Sequence, residues 1–227
     1  MAPIMPHMND HGDIHAGSLS ASGKQWVLSN SAPSDVLDTA RRFDISVVLA
    51  KMIHARIGKN HEDVEAFLHP TFKMGLPNPS HLRGMDQLAQ IVASWIMRGE
   101  PIGLLGDYDV DGATSTALMG RYLRRINVEA SIYIPDRFVD GYGPTSRAWS
   151  FFSGKGVKHI ITMDCGATAF EALEEGDKKG LSIGVIDHHK MGYDEPKCVG
   201  LVNPNHPDDT SNCGQLCAAG VTFLFLV

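Results

Sequence analysis

The sequence predicts an α/β fold, a parallel sheet flanked by helices and preceded by a small helical segment. Three observations point there. From residue 100 onward, short apolar runs alternate with helical stretches of about ten to fifteen residues, the rhythm of repeated strand–helix–strand units. The runs 102–106 and 157–163 read as buried strands. Acidic residues follow three of the runs directly, where parallel sheets present their ligands.

Residues 1–33 are rich in Met, His, Ser, Gly and Pro without an apolar period, so a disordered tail is expected. His7, His11 and His15 have a spacing that would suit metal on a helix, but Pro6 and Gly12 oppose that helix. Residues 34–99 read as a helical segment. Ser34 is a candidate cap for a helix carrying Val36, Leu37 and Ala40. Asp44 is a candidate cap for another, carrying Val47, Val48, Lys51, Met52 and Ala55 and stopped at Gly58. Asn60 followed by Asp63 resembles a capping box, for a helix that carries Val64, Phe67 and Leu68 and ends before Pro70. A loop with Pro77, Pro79 and Gly84 precedes Leu88, Ile91, Val92, Trp95 and Ile96, which share one helix face.

Residues 100–227 form the α/β domain. Strands are expected at 102–106, 128–134, 157–163, 182–186 and 199–202, and helices at 113–125, 145–153 and 167–178. The last residues, Val221 to Val227, are almost wholly apolar. They fit a buried helix, and a domain lacking a polar cap at this point is expected to be cut short.

Composition narrows the function. Lys plus Arg number 20 against 26 Asp plus Glu, a formal charge of −6, which argues against a polycationic nucleic-acid sheath. An acidic nuclease site is compatible with that charge. No apolar run reaches membrane-spanning length and no secretory signal opens the chain. Cys165, Cys198, Cys213 and Cys217 form no tight framework, so a reducing cytoplasm is the expected location.

The acids carry the chemistry. After the first strand come Asp107, Asp109 and Asp111, after the third Asp164, and after the fourth Asp187, His188 and His189. Alternate carboxylates on an extended segment repel one another, and a divalent cation removes the conflict. Oxygen donors suit Mg²⁺ or Mn²⁺, and imidazoles tilt the choice to Mn²⁺. An EF-hand also opens Asp-x-Asp-x-Asp-Gly, but its twelfth position would be Leu118 rather than Glu, and the segment follows a strand. Gly112 is expected to turn the chain into a helix whose first amides, at Ala113, Thr114 and Ser115, would hold a phosphate. The bland alternatives are an acidic surface turn, a helix-capping Asp164 and a surface His pair. The coincidence of all three at strand ends weighs against them.

The set GDYDVDGATST, DCG and DHH resembles the first three motifs of the DHH phosphoesterase superfamily. Within it the chain is most similar to the RecJ branch of bacterial single-strand-specific 5′ to 3′ exonucleases. Further likeness lies in AFLHP, in the Leu82–Met85 loop with Asp86, in YIPDRFVDGYG and in LVNPNHPD, so that it spans about 45–227. Other branches open their first motif with His rather than Asp.

The resemblance implies metal ligation by Asp107, Asp109, Asp164, His188 and His189. It implies that Asp111 is a ligand or an orienting acid, and that Asp187 supports the imidazoles. It implies that Arg137 holds DNA phosphate, against a surface ion pair to Asp140. Two Mn²⁺ or Mg²⁺ ions would drive phosphodiester hydrolysis, with single-stranded DNA as substrate and a single-strand-binding protein and a helicase as partners in repair and recombination.

Two departures stand out. Cys165 replaces the usual Asn of the second motif, and a fourth acidic motif does not occur in the 227 residues. The chain is therefore expected to have little activity alone. The competing readings are a non-catalytic DHH binding module and a DHH phosphodiesterase acting on oligoribonucleotides or small nucleotides. A nucleophile is not evident, since Thr114 and Ser115 lack a base and Asp164 would raise the Cys165 thiol pKa. His206, Cys213 and Cys217 lack zinc-site spacing.

Overall fold

The computed structural model describes residues 21–24 and 32–227. His7, His11 and His15, with most of the expected tail, lie outside the described residues. The chain divides into two compact units, Met1–Leu76 and Pro77–Val227.

The first unit contains α1 (Pro33–Arg42), α2 (Val47–Ile57), α3 (His61–Leu68) and the single turn α4 (Phe72–Gly75). Pro33 opens α1, where its missing N–H costs nothing, so Ser34 lies inside the helix instead of capping it. Asp44 does not cap α2. It takes a left-handed turn (φ 51°), and Ser46 two residues later accepts from the Leu49 amide at 3.2 Å. Gly58 ends α2 at φ 82°, and Asn60 caps α3 by accepting from the Glu62 amide at 2.9 Å. Val36, Ala40 and Ala50 form the small core here, with Ile45 against them.

The second unit begins with a 3₁₀ turn (Pro79–His81) and α5 (Met85–Met97). The sequence places α5 with the N-terminal helices and a boundary at residue 100. It instead packs on the sheet, because Leu88 lies over two strand glycines, Gly184 and Gly200. Met85, Leu88, Val92 and Trp95 are its buried face.

There follow β1 (Ile102–Gly106), α6 (Val110–Arg125), β2 (Ala130–Tyr133), α7 (Ser146–Gly154), β3 (His159–Met163), α8 (Phe170–Lys178), β4 (Ser182–Ile186), β5 (Gly200–Val202) and α9 (Ala218–Leu226). All pairings are parallel, in the order β2-β1-β3-β4-β5. Side chains alternate across each strand. Ile102, Leu104, Ile161, Met163, Ile186 and Val202 meet α5, α6 and α9 on one face, whereas Leu105, Ile160, Ile183 and Val185 meet α7 and α8 on the other. The apolar end of the chain is thus a helix, with Ala218, Val221, Thr222 and Leu224 buried.

This order reverses direction between β1 and β3. One strand feeds a helix on the first face and its neighbour feeds a helix on the second, which leaves a crevice at their carboxyl ends. No helix among the described residues is long and apolar enough to cross a membrane.

Leu88→Ala is expected to destabilise the chain by about 2–5 kcal/mol, because a fully buried side chain is removed over backbone that cannot collapse into the space. Urea denaturation followed by circular dichroism measures it.

Candidate metal centre

Asp107 follows β1 and Asp164 follows β3, so the two acids flank the crevice. Both are almost fully buried, and Oδ1 of each lacks a hydrogen-bond partner. Burial, then the charge of Asp109, raise the pKa of Asp107 against the Tyr108 amide. Burial, then Asp111 and Asp109, raise that of Asp164 to about 8. Two orphaned buried carboxylate oxygens facing other acids fit a cation better than they fit a protein partner.

Asp109 caps α6. Its Oδ1 accepts from the amides of Asp111 and Gly112, each at 3.0 Å, and the Gly112 amide is the main reason its pKa is lowered. This first turn comes very close to the end of β1, since a Cβ on Gly112 would collide with the Asp107 backbone nitrogen. The helix therefore starts at Val110, three residues earlier than expected.

The early start overturns the expected phosphate cradle at Ala113, Thr114 and Ser115. The Ala113 amide already donates to the Asp109 carbonyl at 3.0 Å. The Thr114 hydroxyl donates to the Val110 carbonyl at 2.6 Å, and the Ser115 hydroxyl to that of Asp111 at 2.8 Å. Thr114 and Ser115 are helix-interior residues bonded back to the preceding turn.

Asp111 reaches across to α9. Its two oxygens accept from the amides of Ala218 and Ala219, both at 2.7 Å, and so cap a helix whose own Cys217 makes no side-chain cap. Oδ2 also lies 3.5 Å from His188 Nε2.

After β4, Asp187 is buried and completely bonded. Oδ1 accepts from the amides of His188 (2.7 Å) and His189 (3.1 Å) and from His189 Nδ1 (2.7 Å), and Oδ2 accepts from the Ala167 amide (2.9 Å). Burial opposes its charge, but these bonds prevail and its pKa is lowered. The same contact raises the pKa of His189 to about 8. With Nδ1 held by Asp187, Nε2 of His189 remains to meet a cation. His188 is set similarly. Its Nδ1 faces the Leu216 carbonyl at 3.1 Å, and its Nε2 lies 3.3 Å from Asp164 Oδ1.

Two groups result, each with donor atoms within 4.8 Å of one another. They are Asp107, Asp109 and Asp164, and Asp164, His188 and His189. Asp164 belongs to both. Two three-donor groups sharing one carboxylate suit a pair of hard divalent ions a few ångströms apart. Among the described residues, His206, Cys213 and Cys217 form no such group.

Several participants were not picked out from sequence. Asn203 donates to the His189 carbonyl at 2.9 Å and Asn205 to that of His188 at 2.6 Å, which fixes the backbone of the histidine pair. They are the two asparagines of LVNPNHPD, and that repetition was the available signal. The Tyr142 hydroxyl donates to the Asp164 carbonyl at 3.1 Å and approaches His189 Nε2 at 3.4 Å. Burial, then Asp187, hold its phenol far above its usual pKa, so it stays a donor. Tyr142 packs edge-on against Tyr108, and the Arg137 guanidinium sits 5.6 Å from the Tyr108 ring centroid. Arg137 does not pair with Asp140, which instead holds Arg147 at 3.4 Å. Cys165 is buried, its thiol raised well above the usual pKa by burial and directed to the Met163 carbonyl at 3.6 Å.

A model of the DHH family, N-terminal domain, matches residues 101–227. The chain belongs to the DHH family. The match begins one residue before β1 and takes in the whole crevice. The single-stranded-DNA-specific exonuclease RecJ of Bacillus subtilis (strain 168) is 31% identical over 203 residues, which cover 89% of this chain and 26% of that protein. RecJ of Escherichia coli (strain K12) is 31% identical over 147 residues, 64% of this chain and 26% of that protein. The chain spans about a quarter of the length of these relatives. Among solved structures, an exonuclease RecJ bound to manganese matches with TM-score 0.57 and 31% identity, covering 64% of this chain and 37% of that one. RecJ of Thermus thermophilus in complex with Mn²⁺ matches with TM-score 0.64 and 25% identity, covering 88% and 27%. The parallel five-stranded sheet of this chain is thus a DHH-family fold.

Asp164 and His189 hold protons at neutral pH and lose them as pH rises through about 8, and a cation needs them free. Mn²⁺ affinity is therefore expected to rise as pH increases from about 6 to 9, with proton release at neutral pH. Titration calorimetry in buffers of different ionisation enthalpy reads both effects. Asp164→Asn is expected to abolish binding of both ions, whereas Asp107→Asn spares the ion on the histidine side.

Proposed function

We propose that this chain carries the metal centre of a 5′ to 3′ exonuclease that hydrolyses phosphodiester bonds in single-stranded DNA. The observation that carries the reading is the pair of donor groups joined at Asp164. Asp107, Asp109 and Asp164 would hold one Mn²⁺ or Mg²⁺, and Asp164, His188 and His189 the other. Asp111, beside His188, would complete the second through the lone pairs its two amide bonds leave free. The solved relatives that contain manganese support the choice of ion. Such ions, when bound, lower the pKa of water and stabilise the attacking and leaving oxygens of an in-line displacement.

The chain's own residues would do the rest. Asp187 and the Leu216 carbonyl hold the two imidazoles in the tautomer that offers Nε2 inward. Asn203 and Asn205 keep those rings in place through their backbone. Arg137, with no ion-pair partner among the described residues and lying on Tyr108, would hold a phosphate of the strand. Single-stranded DNA as substrate is supported by the similarity to RecJ. The proposed partners, a single-strand-binding protein and a helicase, rest on the same resemblance, and the proposed cytoplasmic location rests on the cysteines that form no tight framework.

Incubation with Mn²⁺ and 5′-labelled single-stranded DNA, oligoribonucleotide or pyrophosphate tests the reading. Release of mononucleotides from DNA alone is expected, with little turnover because these 227 residues hold only three of the acidic motifs. Cleavage of RNA or pyrophosphate in preference would place it in another branch, and DNA binding without turnover would make it a binding module. Arg137→Ala is expected to weaken DNA binding uniformly across sequences and to reduce the slope of log affinity against log salt by about 0.7.

A further inference from the structure

Phe138 is 95% exposed and Val139 67%. A scattered apolar residue on a surface calls for no explanation, but this pair is held outward by a built loop. Asp136 Oδ1 accepts from the amides of Phe138 at 2.8 Å and Val139 at 3.2 Å. The Asp136 carbonyl accepts from the amides of Val139 at 3.2 Å and Asp140 at 2.8 Å. Asp140 Oδ2 in turn accepts from the Asp136 amide at 2.8 Å and the Tyr133 hydroxyl at 3.0 Å, and its Oδ1 holds Arg147. The loop is thus fastened to the end of β2 and to α7, and its tip points away from the core.

The same loop is fastened to the metal centre at two further points. Arg137 lies over Tyr108, which sits between Asp107 and Asp109, and Tyr142 bonds to the Asp164 carbonyl. One short segment therefore presents a cation for a phosphate and, beside it, an aromatic face and a branched aliphatic side chain. A single nucleic-acid strand repeats that pairing, an anionic phosphate followed by a flat apolar base. The charge of Arg137, which has no ion-pair partner among the described residues, favours this occupant over an apolar protein segment.

We infer that Phe138 and Val139 form a stacking surface for an unpaired base of the strand whose phosphate Arg137 holds. The inference rests on the nucleic-acid reading of the metal centre and adds a subsite to it. A base in a duplex is already stacked on both faces, so the tip accepts a base only from a single strand.

The test uses the whole chain with Mn²⁺ and single-stranded oligonucleotides carrying 2-aminopurine near the 5′ end. Stacking on Phe138 is expected to change the emission of the probe. Phe138→Ala should abolish that change and weaken binding roughly ten-fold, and Phe138→Trp should restore both. An oligonucleotide abasic at the probe position should bind the unsubstituted chain and Phe138→Ala equally. Because Phe138 is exposed, the substitution leaves the fold and Mn²⁺ binding unchanged, which calorimetry checks. Unaltered emission and affinity in Phe138→Ala would overturn the inference. So would an equal loss on intact and abasic strands, or failure of the Mn²⁺-loaded chain to bind the strand. Failure of the metal reading registers separately, as absence of Mn²⁺ binding.

Discussion

The crowding of carboxylates at the β1/β3 crevice is the constraint on which the second unit depends. Asp164 is buried between Asp109, Asp111 and the histidine pair, and in low dielectric those like charges cannot all persist. Removing a carboxylate from water costs several kcal/mol, and the usual remedies are a proton or a cation. Asp187 shows the other remedy in the same neighbourhood. It is as deeply buried, yet four hydrogen bonds keep it charged. One acid is thereby committed to structure, while Asp164 and Asp107 keep an oxygen without a partner.

The surroundings serve that division. The ligand candidates are held partly by their own stretch of chain and partly by distant ones. His188 is bound by Leu216 and by Asn205 through its carbonyl, His189 by Asp187 and Asn203, and Asp109 by the first turn of α6. Asp111 ties the start of α9 to the first turn of α6, so the helix that covers one face of the sheet is registered against the metal centre. The close approach of Gly112 to Asp107 lets these pieces meet, because any side chain there would push α6 off the strand.

The legible parts were those set by local pattern. β4 was placed correctly to the residue, and β3 and α7 to within two, because apolar runs bounded by turn residues leave few alternatives. Caps were read less well. Asp44 and Ser34 have the right chemistry for capping, but Ser46 and Pro33 occupy the positions where the chain enters the helix. The start of α6 was misplaced because the Asp-rich segment looked extended, and nothing local signals that Asp109 bends back to its own helix amides. The roles of Asn203, Asn205 and Tyr142 depend on contacts between residues from 14 to 22 positions apart, which no local pattern encodes.

By itself the sequence determined the parallel α/β class and the delivery of three acidic motifs to one sheet edge, since strand periodicity and strand-end chemistry are both written locally. Tertiary structure decided which of those acids are shared, which are spent on bonding and which are left unpartnered. It did so because burial and hydrogen-bond completion are properties of the assembled crevice. The strand order puts β3 between β1 and β4, and that placement brings Asp164 within reach of both donor groups.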